Sequence, residues 1–192
     1  QWLAKDPSSD GYQFRAQVYE AKGDLAKAEQ DLRTIVGLPG EAGRGYLALG
    51  RLYFRHDQRA KAIEIWREGL KLLPESYPLQ RAVAEALLGD PDPKQQQAGL
   101  AWLTDMLKKN PKDEALLLMR ADQLNRSRQI KEAQQAYDAI LSLRPDSAAA
   151  FHGLASLALS DGLPDGAARA LGIVERGLNA NPHDPDLLLL QS

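Results

Sequence analysis

Pro74, Pro111, Pro145 and Pro182 recur at intervals of 37, 34 and 37 residues, and each closes a segment carrying two apolar stripes. The clearest copy runs from Tyr46 to Pro74, YLALGRLYFRHDQRAKAIEIWREGLKLLP. Tyr46, Leu49, Gly50 and Tyr53 are spaced i, i+3, i+4, i+7, which places them on one face of a helix. Ala62, Trp66, Gly69, Leu70 and Leu73 form the same kind of face on a second helix. Small residues at Gly50, Ala62 and Gly69 let the two helices approach closely, while the aromatics fill the gaps beside them. One such pair cannot cover its own stripes, so copies must stack on one another. No segment between the copies reads as a strand.

The order Tyr46-x2-Leu49-Gly50-x2-Tyr53, then Ala62-x3-Trp66-x2-Gly69, then Pro74 resembles the tetratricopeptide repeat (TPR). That repeat has the pattern W-x2-L-G-x2-Y, A-x3-F, P over 34 residues. Here Tyr stands in the Trp place, Trp in the Phe place and Gly in the last Ala place. The resemblance extends over nearly the whole chain. It implies an all-α fold, a right-handed α-α superhelix of about five helix-turn-helix repeats with partial helices at both ends. As one solenoid domain over 1–192, the repeats fall at 9–42, 43–76, 77–113, 114–147 and 148–184. Residues 1–8 end a truncated repeat and 185–192 begin another.

In chain order, residues 1–7 read as the tail of a second helix closed by Pro7. Ser8 or Ser9 caps the next helix, which carries Tyr12, Ala16 and Tyr19 and breaks at Gly23-Asp24. Arg15 occupies a place where the family prefers Leu. Ala28, Leu32 and Ile35 follow, ending near Pro39-Gly40. After the clearest copy, Glu75-Ser76 caps a helix over Tyr77 to Leu88. The turn GDPDPKQ then lengthens the connection, and Gly99, Leu103 and Met106 lead to Pro111. Leu117, Ala121 and Leu124 face Ala133, Tyr137 and Ile140 in the fourth copy. Phe151, Leu154, Ala155 and Ala158 open the fifth, with a turn at Asp161-Gly162 and a second helix from about Asp165. The spacing of 37 to Pro182 predicts a second helix about a turn longer. Asp184 and Pro185 cap a final helix. The chain opens on Gln1 and both ends fall inside the pattern, which predicts a piece of a longer protein, cytoplasmic or periplasmic.

The 192 residues, 26% charged and 44% hydrophobic, are enough for one sizeable domain of ordinary soluble balance. A formal net charge of −2 argues against general nucleic-acid binding, which usually needs a basic excess. With no cysteine, disulfides and thiolate metal sites are excluded. No apolar run is long enough to span a membrane, so this segment is not expected to insert. His56, His152 and His183 are scattered, with no HxxxH or HExxH spacing, so neither a metal site nor a cofactor is expected. Glu64 and Glu68 share a helix with Lys and Arg and read as an outer charged face. Gly43, Gly45 and Gly50 open a helix without a preceding strand, unlike a dinucleotide loop. No nucleophile setting is present, and no catalytic residue is expected.

What stacked pairs offer instead is a surface, with first helices lining a groove. Taking Arg44 as zero at about 100° per residue, Arg51 and Arg55 lie within about 20° of it, opposite the Tyr46–Tyr53 stripe. Leu47 and Phe54 flank them. The same register brings Gln13, Phe14 and Gln17, then Arg81 and Glu85. Further along it brings Leu118, Met119, Asp122, Asn125 and Arg126, then His152 and Ser156. The candidate groove residues are therefore Arg44, Leu47, Arg51, Arg55, Arg81, Leu118, Asp122 and Asn125. Some family members hold a peptide carboxylate with a Lys and Asn set, which this chain lacks, having Leu47 and Arg51 there. The resemblance implies a non-enzymatic scaffold that binds a protein or peptide segment, with an acidic segment suited to the arginines. Two alternatives remain open. One is a spacer or assembly platform in envelope export or polysaccharide secretion; the other is the regulatory arm of an enzyme elsewhere on the chain. Packing gives a further expectation: Gly50→Leu costs roughly 1–3 kcal/mol by overpacking, and Trp66→Ala about 3–5 kcal/mol.

Overall fold

The computed structural model describes residues 8–191, with side-chain surroundings as far as residue 189. The expected helix tail at residues 1–7 lies outside the described residues. Eleven helices and no strand occupy the described residues. They are α1 (Ser9–Ala21), α2 (Leu25–Gly37), α3 (Ala42–Arg55), α4 (Arg59–Leu72), α5 (Tyr77–Leu88) and α6 (Pro93–Lys109). After these come α7 (Glu114–Arg126), α8 (Ile130–Leu143), α9 (Ala148–Ser160), α10 (Gly166–Ala180) and α11 (Pro185–Gln191).

Local chemistry sets most of these boundaries. A free backbone N–H in the first turn of α1 donates to Ser8 Oγ, of α2 to Asp24 Oδ1, and of α7 to Asp113 Oδ1. Ser147 Oγ accepts from the Ala150 N–H of α9 in the same way, and Asp184 Oδ1 from the Leu187 N–H of α11. Ser76 stands at the cap position of α5 without a side-chain bond, and Pro78 supplies the helical φ within that first turn instead. Four of the turns inside helix pairs reverse on one left-handed residue, two places past the first helix: Gly23, Asp57, Arg128 and Gly162. The third pair turns differently. There the Asp92 N–H donates to Asp90 Oδ1 and the Lys94 N–H to Asp92 Oδ1. Its α6 spans 17 residues against 14 for α4 and α8, which absorbs the longer proline interval. In the fifth pair α10 is only 15 residues long, and the longer interval goes mainly into the turn between Ser160 and Gly166.

The chain forms two compact units, residues 1–101 and 102–192, with the division inside α6. In the first, α1 to α5 each pack on the next helix, and α3 also touches α5. In the second, α7 to α11 do likewise, with α7 on α9 and α9 on α11. First-helix contacts of this kind mark stacked pairs.

The stripes supply the packing. Leu49, Ala62 and Trp66 are buried, and a Cβ built on Gly50 would lie 2.5 Å from Trp66 Cδ1 and closer still to Nε1 and Cε2. The indole therefore occupies the space that glycine leaves. The second unit repeats the device with other residues: a Cβ on Gly153 would lie 2.5 Å from Tyr137 Cζ. Ala121, Ala133, Tyr137, Ile140 and Leu154 join in one core cluster there. Arg15, in the place the family gives to Leu, reaches α2 instead. Its Nε and Nη2 donate to Asp31 at 2.7 and 2.5 Å, and Asp31 is only 3% exposed. The Asp31 carboxylate holds the Arg15 guanidinium above its usual pKa. An ion pair thus replaces an aliphatic contact, and the rings of Tyr12 and Tyr19 flank the cation.

Candidate partner-binding groove

In the first unit, α3 turns Tyr46, Leu49, Gly50 and Tyr53 into the core. With that face fixed, a helical register leaves Arg44, Leu47, Arg51 and Arg55 on the other side. Two open grooves flank this ridge. The one between α1 and α3 has a volume of about 370 Å³ and is lined by Gln13, Gln17, Glu20, Arg44, Leu47, Arg51 and Arg55, among others. Its neighbour between α3 and α5, about 330 Å³, is lined by Arg51, Phe54, Arg55, Pro78, Arg81 and Glu85, with Trp66 of α4 and Ala82. Arg51 and Arg55 border both. The structure therefore brings five sequence-predicted residues, Arg44, Leu47, Arg51, Arg55 and Arg81, into two adjoining grooves.

Their electrostatic states differ. Arg44 pairs with Asp10 of α1, and its Nε and Nη1 donate to Gln13 Oε1 at 2.8 Å and Ser9 Oγ at 3.0 Å. Arg55 grips Glu20 with two bonds of 2.9 and 2.7 Å, and His56 Nε2 lies 3.1 Å from the same carboxylate. Arg55 above all, with His56 adding to it, holds the Glu20 carboxyl below the usual range. Arg51 and Arg81 make no ion pair or hydrogen bond with a described residue, and none joins Arg81 to Glu85.

Nothing in the local sequence pattern marks Asp10 and Glu20 as partners of the arginines. The available signal was the repeat length, because stacking sets residue i beside its counterpart one repeat on. The Asp10–Arg44 and Glu20–Arg55 separations are 34 and 35 residues.

Leu118, Asp122 and Asn125 belong to α7 in the second unit. Leu118 is half-buried against the Ala121–Tyr137 cluster. The Tyr137 hydroxyl donates to Asp122 Oδ1 at 2.5 Å, and Asn125 neighbours the same hydroxyl. Burial first, then the Asp122 carboxylate, pushes the Tyr137 pKa up. Among the described residues no group of three or more His, Cys, Asp or Glu could hold a metal ion. No helix among them is long and apolar enough to cross a membrane.

Comparison with known proteins agrees with this architecture. The family described as "Cytochrome c-type biogenesis protein H TPR domain" matches residues 21–151, and "Tetratricopeptide repeat" matches residues 118–185. The F-box/TPR repeat protein pof3 of Schizosaccharomyces pombe is 35% identical over 75 residues, 39% of this chain. The matched stretch is 13% of that curated relative's length. Among solved structures, a thermophilic TPR protein of Thermus thermophilus superposes with a TM-score of 0.70 at 19% identity, covering 95% of this chain and 96% of that one. YrrB, a TPR protein with an unusual peptide-binding site, gives 0.55 at 16% identity, covering 97% and 94%. At such identities the likeness shows the fold, an all-α TPR solenoid.

Proposed function

Because the chain belongs to the cytochrome c-type biogenesis protein H TPR domain family, we propose that it is a non-enzymatic scaffold in cytochrome c-type biogenesis. Its task is to hold a segment of a partner protein against α1, α3 and α5. The observation that carries this reading is the outer face of α3. It borders two adjoining open grooves, each large enough to take protruding side chains. TPR proteins bind protein partners, and a first-helix surface of this kind offers a docking track along the stack.

Arg44, Leu47, Arg51, Arg55 and Arg81 line the track in the first unit; Arg44 and Arg55 are already paired with Asp10 and Glu20, and Arg51 and Arg81 suit an acidic segment. Guanidinium groups offer paired donors that match carboxylates. Leu118, Asp122 and Asn125 form a separate contact set on α7 in the second unit. The test is a pull-down from source-organism lysate, read by mass spectrometry, comparing wild type with Arg51→Glu plus Arg81→Glu. The double variant is expected to lose the components of cytochrome c-type biogenesis that wild type retains, with little change in melting temperature. Equal retention by both proteins contradicts the arginine contacts, and absence of any such component from the wild-type sample contradicts the proposed process.

A further inference from the structure

The groove between α3 and α5 is chemically different from the one between α1 and α3. In the latter, Arg44 and Arg55 already have their carboxylates in Asp10 and Glu20. Arg51 and Arg81, which line the α3/α5 groove together, have none among the described residues. A cation with its partner already in place gains little from a second carboxylate, whereas an unanswered guanidinium keeps its paired donors available. Apolar surface lies beside these two. Phe54 and Trp66 meet with ring centroids 5.9 Å apart, and Pro78 and Ala82 form the opposite wall. The indole is fixed, because its N–H donates to the Leu47 carbonyl at 3.3 Å.

Size restricts what can enter. About 330 Å³ between neighbouring helices is at the lower end of ligand pockets. It suits a protruding side chain, whereas a helix with side chains is about 10–12 Å across. An extended segment points residues i and i+2 to the same side. Resting on the groove reading above, we propose that the α3/α5 groove is a two-part anchor for an extended partner segment. An Asp or Glu side chain is held by Arg51 and Arg81, and an apolar or aromatic side chain two positions away rests on Phe54 and Pro78. Arg44 and Arg55 hold α1 to α3 and do not choose the ligand. Glu85, one turn beyond Arg81 on the same rim, repels a second carboxylate at that end, so the anchor selects one acidic residue and not an acidic run.

The experiment uses a random-peptide phage library, fused so that no peptide has a free C-terminus. It is panned on wild type, Arg51→Gln with Arg81→Gln, Arg44→Gln with Arg55→Gln, and Leu47→Asp, each with its melting temperature recorded. Wild type is expected to enrich a single acidic residue with an apolar one two places away. The Arg51/Arg81 variant should lose that preference and the Arg44/Arg55 variant should keep it. For one enriched peptide, changing Asp to Asn or Glu to Gln should weaken binding about tenfold or more, as expected for one charge-assisted pair. The Arg51/Arg81 variant should no longer respond to that change. Enrichment that depends on Leu47 but shows no acidic preference overturns the anchor and leaves the groove reading standing. Equal loss in both arginine variants overturns the division between paired and unpaired arginines. Enrichment insensitive to all three variants, or none, overturns the anchor and the groove reading together.

Discussion

Replacing Gly50 with Ala adds one methyl group to a helix, a change that on an open surface stabilises by about 0.5–1 kcal/mol. Here the added Cβ would lie 2.5 Å from Trp66 Cδ1 and closer to Nε1 and Cε2. Ordinary carbon contact is about 3.5–4.0 Å, so the indole must retreat by roughly 1 Å or more. Little room exists for that. Trp66 is 2% exposed and its N–H is committed to the Leu47 carbonyl. Overpacking costs about 1–3 kcal/mol, and a buried N–H pulled from its acceptor adds about 1–3 kcal/mol if the bond is lost outright. Set against the propensity gain, the net loss with the bond gone is about 1–5 kcal/mol. Gly172 of α10 provides the matched control. A Cβ there meets nothing within 4 Å, so Gly172→Ala should stabilise by about 0.5–1 kcal/mol. Urea melts followed by helical circular dichroism give both numbers. A Gly50→Ala protein as stable as wild type, or more so, refutes the packing argument.

Arg15→Ala strands Asp31 in a buried site, and with Arg15 itself partly exposed the expected loss is about 2 kcal/mol. Arg15→Leu with Asp31→Leu should recover most of it, checked by the same melts. Asp57→Gly relieves a left-handed φ of 58° and should raise stability by about 0.5–1 kcal/mol. Glu20 has a folded pKa below that of the unfolded chain. Its contribution is therefore complete above the unfolded value of about 4.3 and is lost as pH falls through the lower folded value. Acid titration of stability should show a shallower decline in this window for Glu20→Gln than for wild type.

Helices were legible wherever side-chain periodicity and punctuation agreed. Tyr77–Leu88 emerges with its expected limits, and the Asp24 cap and the Gly23 reversal stand where Gly23-Asp24 suggested. Proline intervals reported how many residues each copy holds, but not whether a surplus enters a helix or a turn. The third copy lengthened α6, while the fifth mainly lengthened its turn. Arg15 looked like a departure from the pattern because its compensation, Asp31, lies on the next helix, where sequence spacing alone does not show contact. The face of α3 could be read from a 100° rotation per residue, which is a local property. Which arginines are already paired depends on the neighbouring copy, and only the stacking distance of 34 or 35 residues links Asp10 and Glu20 to them.

The central claim, that a partner segment lies along the outer face of α3, is tested most directly by site-specific photocrosslinking. A photoreactive leucine analogue replaces Leu47, which lines the groove on the outer face of α3, in one protein, and a photoreactive residue replaces Glu64, exposed on α4, in another. In source-organism cells the account predicts a crosslinked partner from position 47 and none from position 64. A partner captured from position 64 and absent from position 47 would contradict it.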